Sequence, residues 1–113
     1  MNEIIVTDEQ TTKDGKLLAI VAHFPILGTL IAWILNLKKN NEFTSFYVRQ
    51  MIGYQLLAFI IEAIVSKFSG TLETILGIVL FVFWIISIIG AITGKLKLMP
   101  VVGEYFQKLF RSL

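Results

Sequence analysis

The chain contains no cysteine. Disulfides, thiolate metal sites and cysteine nucleophiles are therefore excluded, and the redox compartment is left open. It has one histidine, His23, and two prolines, Pro25 and Pro100. Charge is scarce as well: charged residues make up 16%, against roughly 25% in soluble globular domains. A net charge of +2 is too small for a nucleic-acid footprint, and no basic run exceeds the pair Lys38-Lys39. The first fifteen residues carry Glu3, Asp8, Glu9 and Asp14, so they lack the basic leading region of a signal peptide. Residues 1–15 read as a polar tail and residues 16–113 as one helical domain.

What is abundant is apolar sequence, 56% of the residues, and it comes in blocks. From Thr74 to Thr93 twenty residues pass without a charged side chain. A helix of that length reaches about 30 Å, the thickness of a bilayer's hydrocarbon core. A buried helix of a small soluble domain is rarely so apolar around its whole circumference. The block from Leu17 to Leu37 is of similar length, bracketed by Lys16 and Lys38-Lys39, with Trp33 near its end. Pro25 cannot donate to Val21 and presses on its carbonyl, which predicts a kink there. The alternative is a division into two half-helices at Pro25 to Gly28. Between Arg49 and Lys67 lies a third, less apolar block carrying Gln50, Gln55 and Glu62. The expected fold is all-α: an integral membrane bundle of three transmembrane helices, at about 16–37, 46–68 and 71–93. Past Pro100, Val102, Tyr105, Phe106, Leu109, Phe110 and Leu113 share one helical face, so 101–113 reads as an interfacial amphipathic helix.

Counting Lys and Arg sets the topology. With three spans, one side holds Lys13, Lys16 and Lys67, and the other holds seven: Lys38, Lys39, Arg49, Lys95, Lys97, Lys108 and Arg111. The positive-inside rule then predicts a multi-pass cell-membrane protein with a cytoplasmic carboxyl terminus and an external amino terminus. A re-entrant first block would bring the amino terminus back inside.

Several of these features together resemble the Tic-twenty-like family of small helical membrane proteins, bacterial relatives of a chloroplast inner-envelope import subunit. They are Ala22-His23, Trp33 with Lys38-Lys39, the segment Phe43 to Gln55 with Phe46, Arg49 and Gln55, and the stretch Gly94-Lys95 to Pro100. The resemblance implies a membrane-embedded helical domain and a place in protein translocation, insertion or an envelope complex.

The candidate polar residues are few. Gln55 and Glu62 fall about 20° apart on a helix, with Thr44 and Ser66 on the same stripe, which should face protein or water and not lipid. Arg49 with Gln50 reads as headgroup contact, with Arg49 and Gln55 the residues placed to bond between helices. Ser87, Gly90 and Gly94 have the small-residue spacing that allows close helix packing. His23, seven residues past Lys16, and Glu62, five before Lys67, lie at matching depths of roughly 10 and 8 Å. They are predicted to face each other as an intramembrane polar pair. One His with one Glu is too little for a metal site, and no nucleophile accompanies them in sequence. No enzyme, metal or cofactor is expected. The expected partners are the lipid bilayer and other membrane proteins or further copies of the chain, not nucleic acid. An oligomeric, holin-like pore or channel is the alternative to a complex component.

Overall fold

The structure is a computed structural model that describes residues 8–113. Among the described residues the chain forms five helices and no strand: α1 (Glu9–Val21), α2 (Leu27–Lys39), α3 (Glu42–Val65), α4 (Gly70–Thr93) and α5 (Gly103–Leu109). Local chemistry accounts for most of the boundaries. Asp8, Asn41 and Ser69 each cap a helix by accepting an amide three residues on, from Thr11, Thr44 and Leu72. At the other ends, Asn40 (φ 50°) closes α2 and Gly94 (φ 74°) closes α4 in the left-handed conformation. Helix α1 thus begins inside the stretch read as a tail; the part of that tail in residues 1–7 lies outside the described residues.

The first apolar block is not a single kinked span. It divides into α1 and α2, the alternative division, with an elbow over residues 22–26. Pro25 removes one amide, and the residue after it, Ile26, adopts φ 59° and ψ −71° while Leu27 N–H bonds back to the Pro25 carbonyl. This is a γ-turn of the uncommon positive-φ kind, a sharper break than a proline kink. Pro100 is followed by the same device: Val101 has φ 68° and Val102 N–H returns to the Pro100 carbonyl.

Among the described residues two helices are long and apolar enough to cross a membrane, not three. They are α3 and α4, with mean hydropathy of 1.4 and 2.9 over their best 18-residue windows. Only 22% and 17% of those windows is buried inside the chain, whereas a soluble core helix would be mostly covered. Half of each helix is bare. From Leu56 to Phe68 and Leu72 to Val82, the exposed residues include Phe59, Ile60, Ile64, Ile75, Ile78 and Phe81. This is far more apolar surface than a soluble monomer ordinarily shows.

The core sits at the other end, around the first half of α3. Phe43 through Val48, Gln50, Met51 and Gly53 are all buried. The helix thus begins four residues before the expected 46 and is enclosed on every face from Phe43 to Val48. Three of its contacts are backbone-close. Thr44 Oγ1 donates to the Gly15 carbonyl of α1, the Tyr47 hydroxyl to the Lys95 carbonyl beyond α4, and Gln107 Nε2 of α5 to the Phe46 carbonyl. Gly53 leaves room for Phe106, whose ring lies 2.3 Å from where a Cβ would stand. The tail's apolar face is consequently divided: Phe106 is buried against α3, while Tyr105 and Leu109 stay exposed. The closing helix is also shorter than the 101–113 expected.

Candidate functional site: a polar clamp at the elbow

Breaking a helix leaves amides and carbonyls without partners, and at the elbow nearly all the named groups find them. His23 and Phe24 amides bond within the turn, and Thr29 N–H reaches the Phe24 carbonyl. Ile26 N–H donates to Gln55 Oε1 of α3 at 3.1 Å. Thr29 Oγ1 donates to the Ala22 carbonyl at 2.6 Å and accepts from Gln55 Nε2. The His23 carbonyl accepts the indole N–H of Trp84, on α4, at 2.9 Å. Irregular backbone is tolerated at membrane depth when protein groups satisfy it in this way.

Beside the elbow a second set of bonds runs through the fully buried side chains of His23, Ser87 and Gln50. His23 Nδ1 lies 2.7 Å from the Ala19 carbonyl, which can only accept, so Nδ1 carries the hydrogen. Nε2 is then an acceptor and takes the Ser87 hydroxyl at 2.7 Å. Ser87 Oγ in turn accepts from Gln50 Nε2 at 2.8 Å. That nitrogen also donates to the Lys97 carbonyl, and Gln50 Oε1 accepts Met99 N–H at 2.8 Å. The tautomer is fixed and every direction in the chain of bonds is determined. Tyr47 and Trp84 pack on the imidazole with ring centroids 5.4 and 6.1 Å away. Four separate pieces of chain, at α1, α3, α4 and residues 95–99, are tied together through neutral groups.

His23 is therefore at the centre of the site, but not with Glu62. Both its ring nitrogens are taken by Ala19 and Ser87, and Glu62 is exposed further along α3, beyond Gln55, facing Glu73 of α4. The polar stripe separates accordingly: Thr44 is buried and Gln55 is in the clamp, while Glu62 and Ser66 lie outside. Arg49 extends from α3 to the tail, where Nη2 donates to the Arg111 carbonyl at 3.0 Å. Ser87 is a clamp residue. A Cβ on Gly90 would meet the Tyr47 hydroxyl at 2.2 Å and Lys97 Cβ at 2.8 Å, so its small size admits α3 and the returning chain. Gly94 serves as the helix terminus.

Gln50, read as headgroup contact, is instead fully buried and bonded to Ser87, Lys97 and Met99; Tyr47, Thr29 and Trp84 were not among the candidate polar residues. Tyr47, Gln50 and Tyr54 recur at i, i+3 and i+7, a stripe of polar-tipped side chains that a search for charged or small residues passes over. Next to the clamp, α2 and α3 enclose a largely apolar cleft of about 370 Å³, lined by Ile26, Leu30, Trp33, Ile52, Leu56 and Phe59, with Thr29 and Gln55 its polar members. Among the described residues no three His, Asp or Glu side chains gather as a metal site would require.

These features define a class: a small all-helical protein with a bare apolar hairpin and a broken helix clamped against its base. A family model for the magnetosome magnetite crystal formation protein family (MamF/MmsF) matches residues 14–105, and the chain belongs to that family. This overturns the Tic-twenty-like resemblance. The residues that carried it have structural explanations here, with Ala22-His23 at the elbow, Gln55 in its clamp and Gly94 at the end of α4, so they reflect architecture and not membership. No curated protein and no solved structure matches the chain.

Proposed function

We propose that this chain is a non-enzymatic, multi-pass membrane protein that supports magnetite crystal formation from within a membrane. The observation that supports the reading is the family match over residues 14–105 on a chain whose α3–α4 hairpin exposes apolar side chains along half its length. In this reading α3 and α4 cross the bilayer and the α1–α2 pair enters it from one side and returns. Lys13, Lys16, Lys38, Lys39, Arg49, Lys95, Lys97, Lys108 and Arg111 then lie at the core end, and Lys67 alone lies at the hairpin turn. By the positive-inside rule the core end, with the starts of α1 and α3 and the chain end beyond α5, faces the cytoplasm in this reading.

A structural role suits the clamp better than a catalytic one. Ser87 and His23 have the spacing of a nucleophile and its base, but both are fully buried and the imidazole's second nitrogen is committed to a backbone carbonyl. A pore is also disfavoured, because Gln50 and Gln55 spend their polar atoms on protein partners instead of lining a passage. The translocation reading loses its support with the resemblance that suggested it. The test is expression in a magnetite-forming cell deleted for its own members of the family. Restored crystal size and shape, seen by electron microscopy, would support the proposal; crystals unchanged from the deletion strain, with the protein present in the membrane, would contradict it.

A further inference from the structure

The elbow stops halfway. Its deepest bonds to α3 are at Gln55, where both Ile26 and Thr29 attach. Helix α3 runs ten residues further, to Val65, which is about 15 Å, or half of a hydrocarbon core about 30 Å thick. On the other side of that level, α1 runs beside α3 from the Gly15–Thr44 bond, and α2 returns to the Asn36–Ser45 bond. The cross-section at the core end thus holds α1, α2, the first half of α3 and the last half of α4, with α5 packed on α3 beside them. At the far end it holds two. The outer face of α2 is apolar, with Leu27, Leu30, Ile31, Ile34 and Leu35 exposed, so this helix belongs in hydrocarbon and adds to the area of one leaflet only.

We infer that the chain is a membrane wedge, which favours bilayers curved so that the leaflet holding α1 and α2 is convex. The inference rests on the membrane reading proposed above. A protein that occupies more area in one leaflet than in the other is under lateral pressure in a flat bilayer. Bending toward the narrow side relieves that pressure, and the energy relieved appears as a preference for curved regions, as it does for helices inserted into a single leaflet. The occupant of the space below the elbow is lipid, since Phe24, Ile26 and Leu27 at the tip are exposed and uncharged. Nine of the ten Lys and Arg side chains lie at the wide end, where they meet headgroups of the convex leaflet.

The test uses the full chain with Ser112→Cys, a single labelling site in a protein that has no other cysteine. The dye-labelled protein is reconstituted into giant vesicles of phosphatidylcholine with phosphatidylglycerol, and a narrow tube is pulled outward from each. A membrane-impermeant quencher distinguishes molecules with α5 outside from those with α5 inside. Protein with α5 outside should be enriched several-fold in the tube relative to a lipid dye, and protein with α5 inside should be depleted. Equal density in tube and vesicle, or a change of the same sign for both orientations, would overturn the wedge. Protein that fails to float with the vesicles, or is stripped by alkaline carbonate, would overturn the membrane reading beneath it; protein that floats but does not sort would overturn the wedge alone.

Discussion

Gln50 has two amide hydrogens and a carbonyl oxygen, and all are used, on Ser87, Lys97 and Met99. A residue so placed cannot be removed quietly, because its partners have no water to turn to. Ser87→Ala should strand the His23 Nε2 acceptor and one Gln50 N–H, costing about 1–3 kcal/mol. The readout is the thermal midpoint in detergent, and an unchanged midpoint would show the clamp to be dispensable. Val101 predicts the opposite sign. It is exposed and held at φ 68°, a conformation that costs a β-branched residue of order 1–3 kcal/mol. Val101→Gly should therefore be neutral or stabilising, where glycine is ordinarily harmful; clear destabilisation would count against the strained turn. His23 and Ser87 were visible in the sequence as rare polar residues in apolar blocks. Their pairing was not, because depth along two helices does not fix rotation about either.

At the level of elements, α5 is held to α3 by the Phe106 contact and the Gln107–Phe46 bond, with Arg49 bonding the Arg111 carbonyl just beyond it. Gly53→Ala would place a methyl group 2.3 Å from the Phe106 ring, so the ring must leave. Limited proteolysis should then cut near residues 103–113 faster than in the parent, and equal cutting would mean that α5 is held by other contacts. The start of α1 depends on pH. Thr11 donates its amide, and in addition its hydroxyl, to the Asp8 carboxylate, which holds that carboxyl below the usual range. Its contribution is present above the unfolded-state value and is lost as pH falls through the lowered one. A carboxyl titration of Asp8 by NMR should show a depressed midpoint, and Thr11→Pro, which removes the amide, should raise it toward the ordinary value. Helices α3 and α4 were legible from apolar block length, whereas Gly94, read as a packing residue, is the cap that ends α4. The division of the first block was less so. A proline signals a bend but not a γ-turn at Ile26, and two of the side chains that stabilise the elbow, Gln55 of α3 and Trp84 of α4, are far away in sequence.

For the whole molecule, the difference between a three-span bundle and a two-span hairpin with a half-depth elbow is a difference in sides. Apolar length alone favoured three spans, because the block from Leu17 to Leu37, which α1 and α2 share, is as long as one membrane crossing. The basic residues favour the proposed arrangement: dividing the first block changes their distribution from seven against three to nine against one. The central claim is that α1 begins on the same side as α5, opposite the turn between α3 and α4. Because the chain has no cysteine, single substitutions Gln10→Cys, Ser69→Cys and Ser112→Cys can be probed with a membrane-impermeant maleimide on sealed vesicles of one orientation. The account predicts that positions 10 and 112 label together, and that position 69 labels only from the other side. Position 10 labelling together with position 69, and apart from 112, would contradict it.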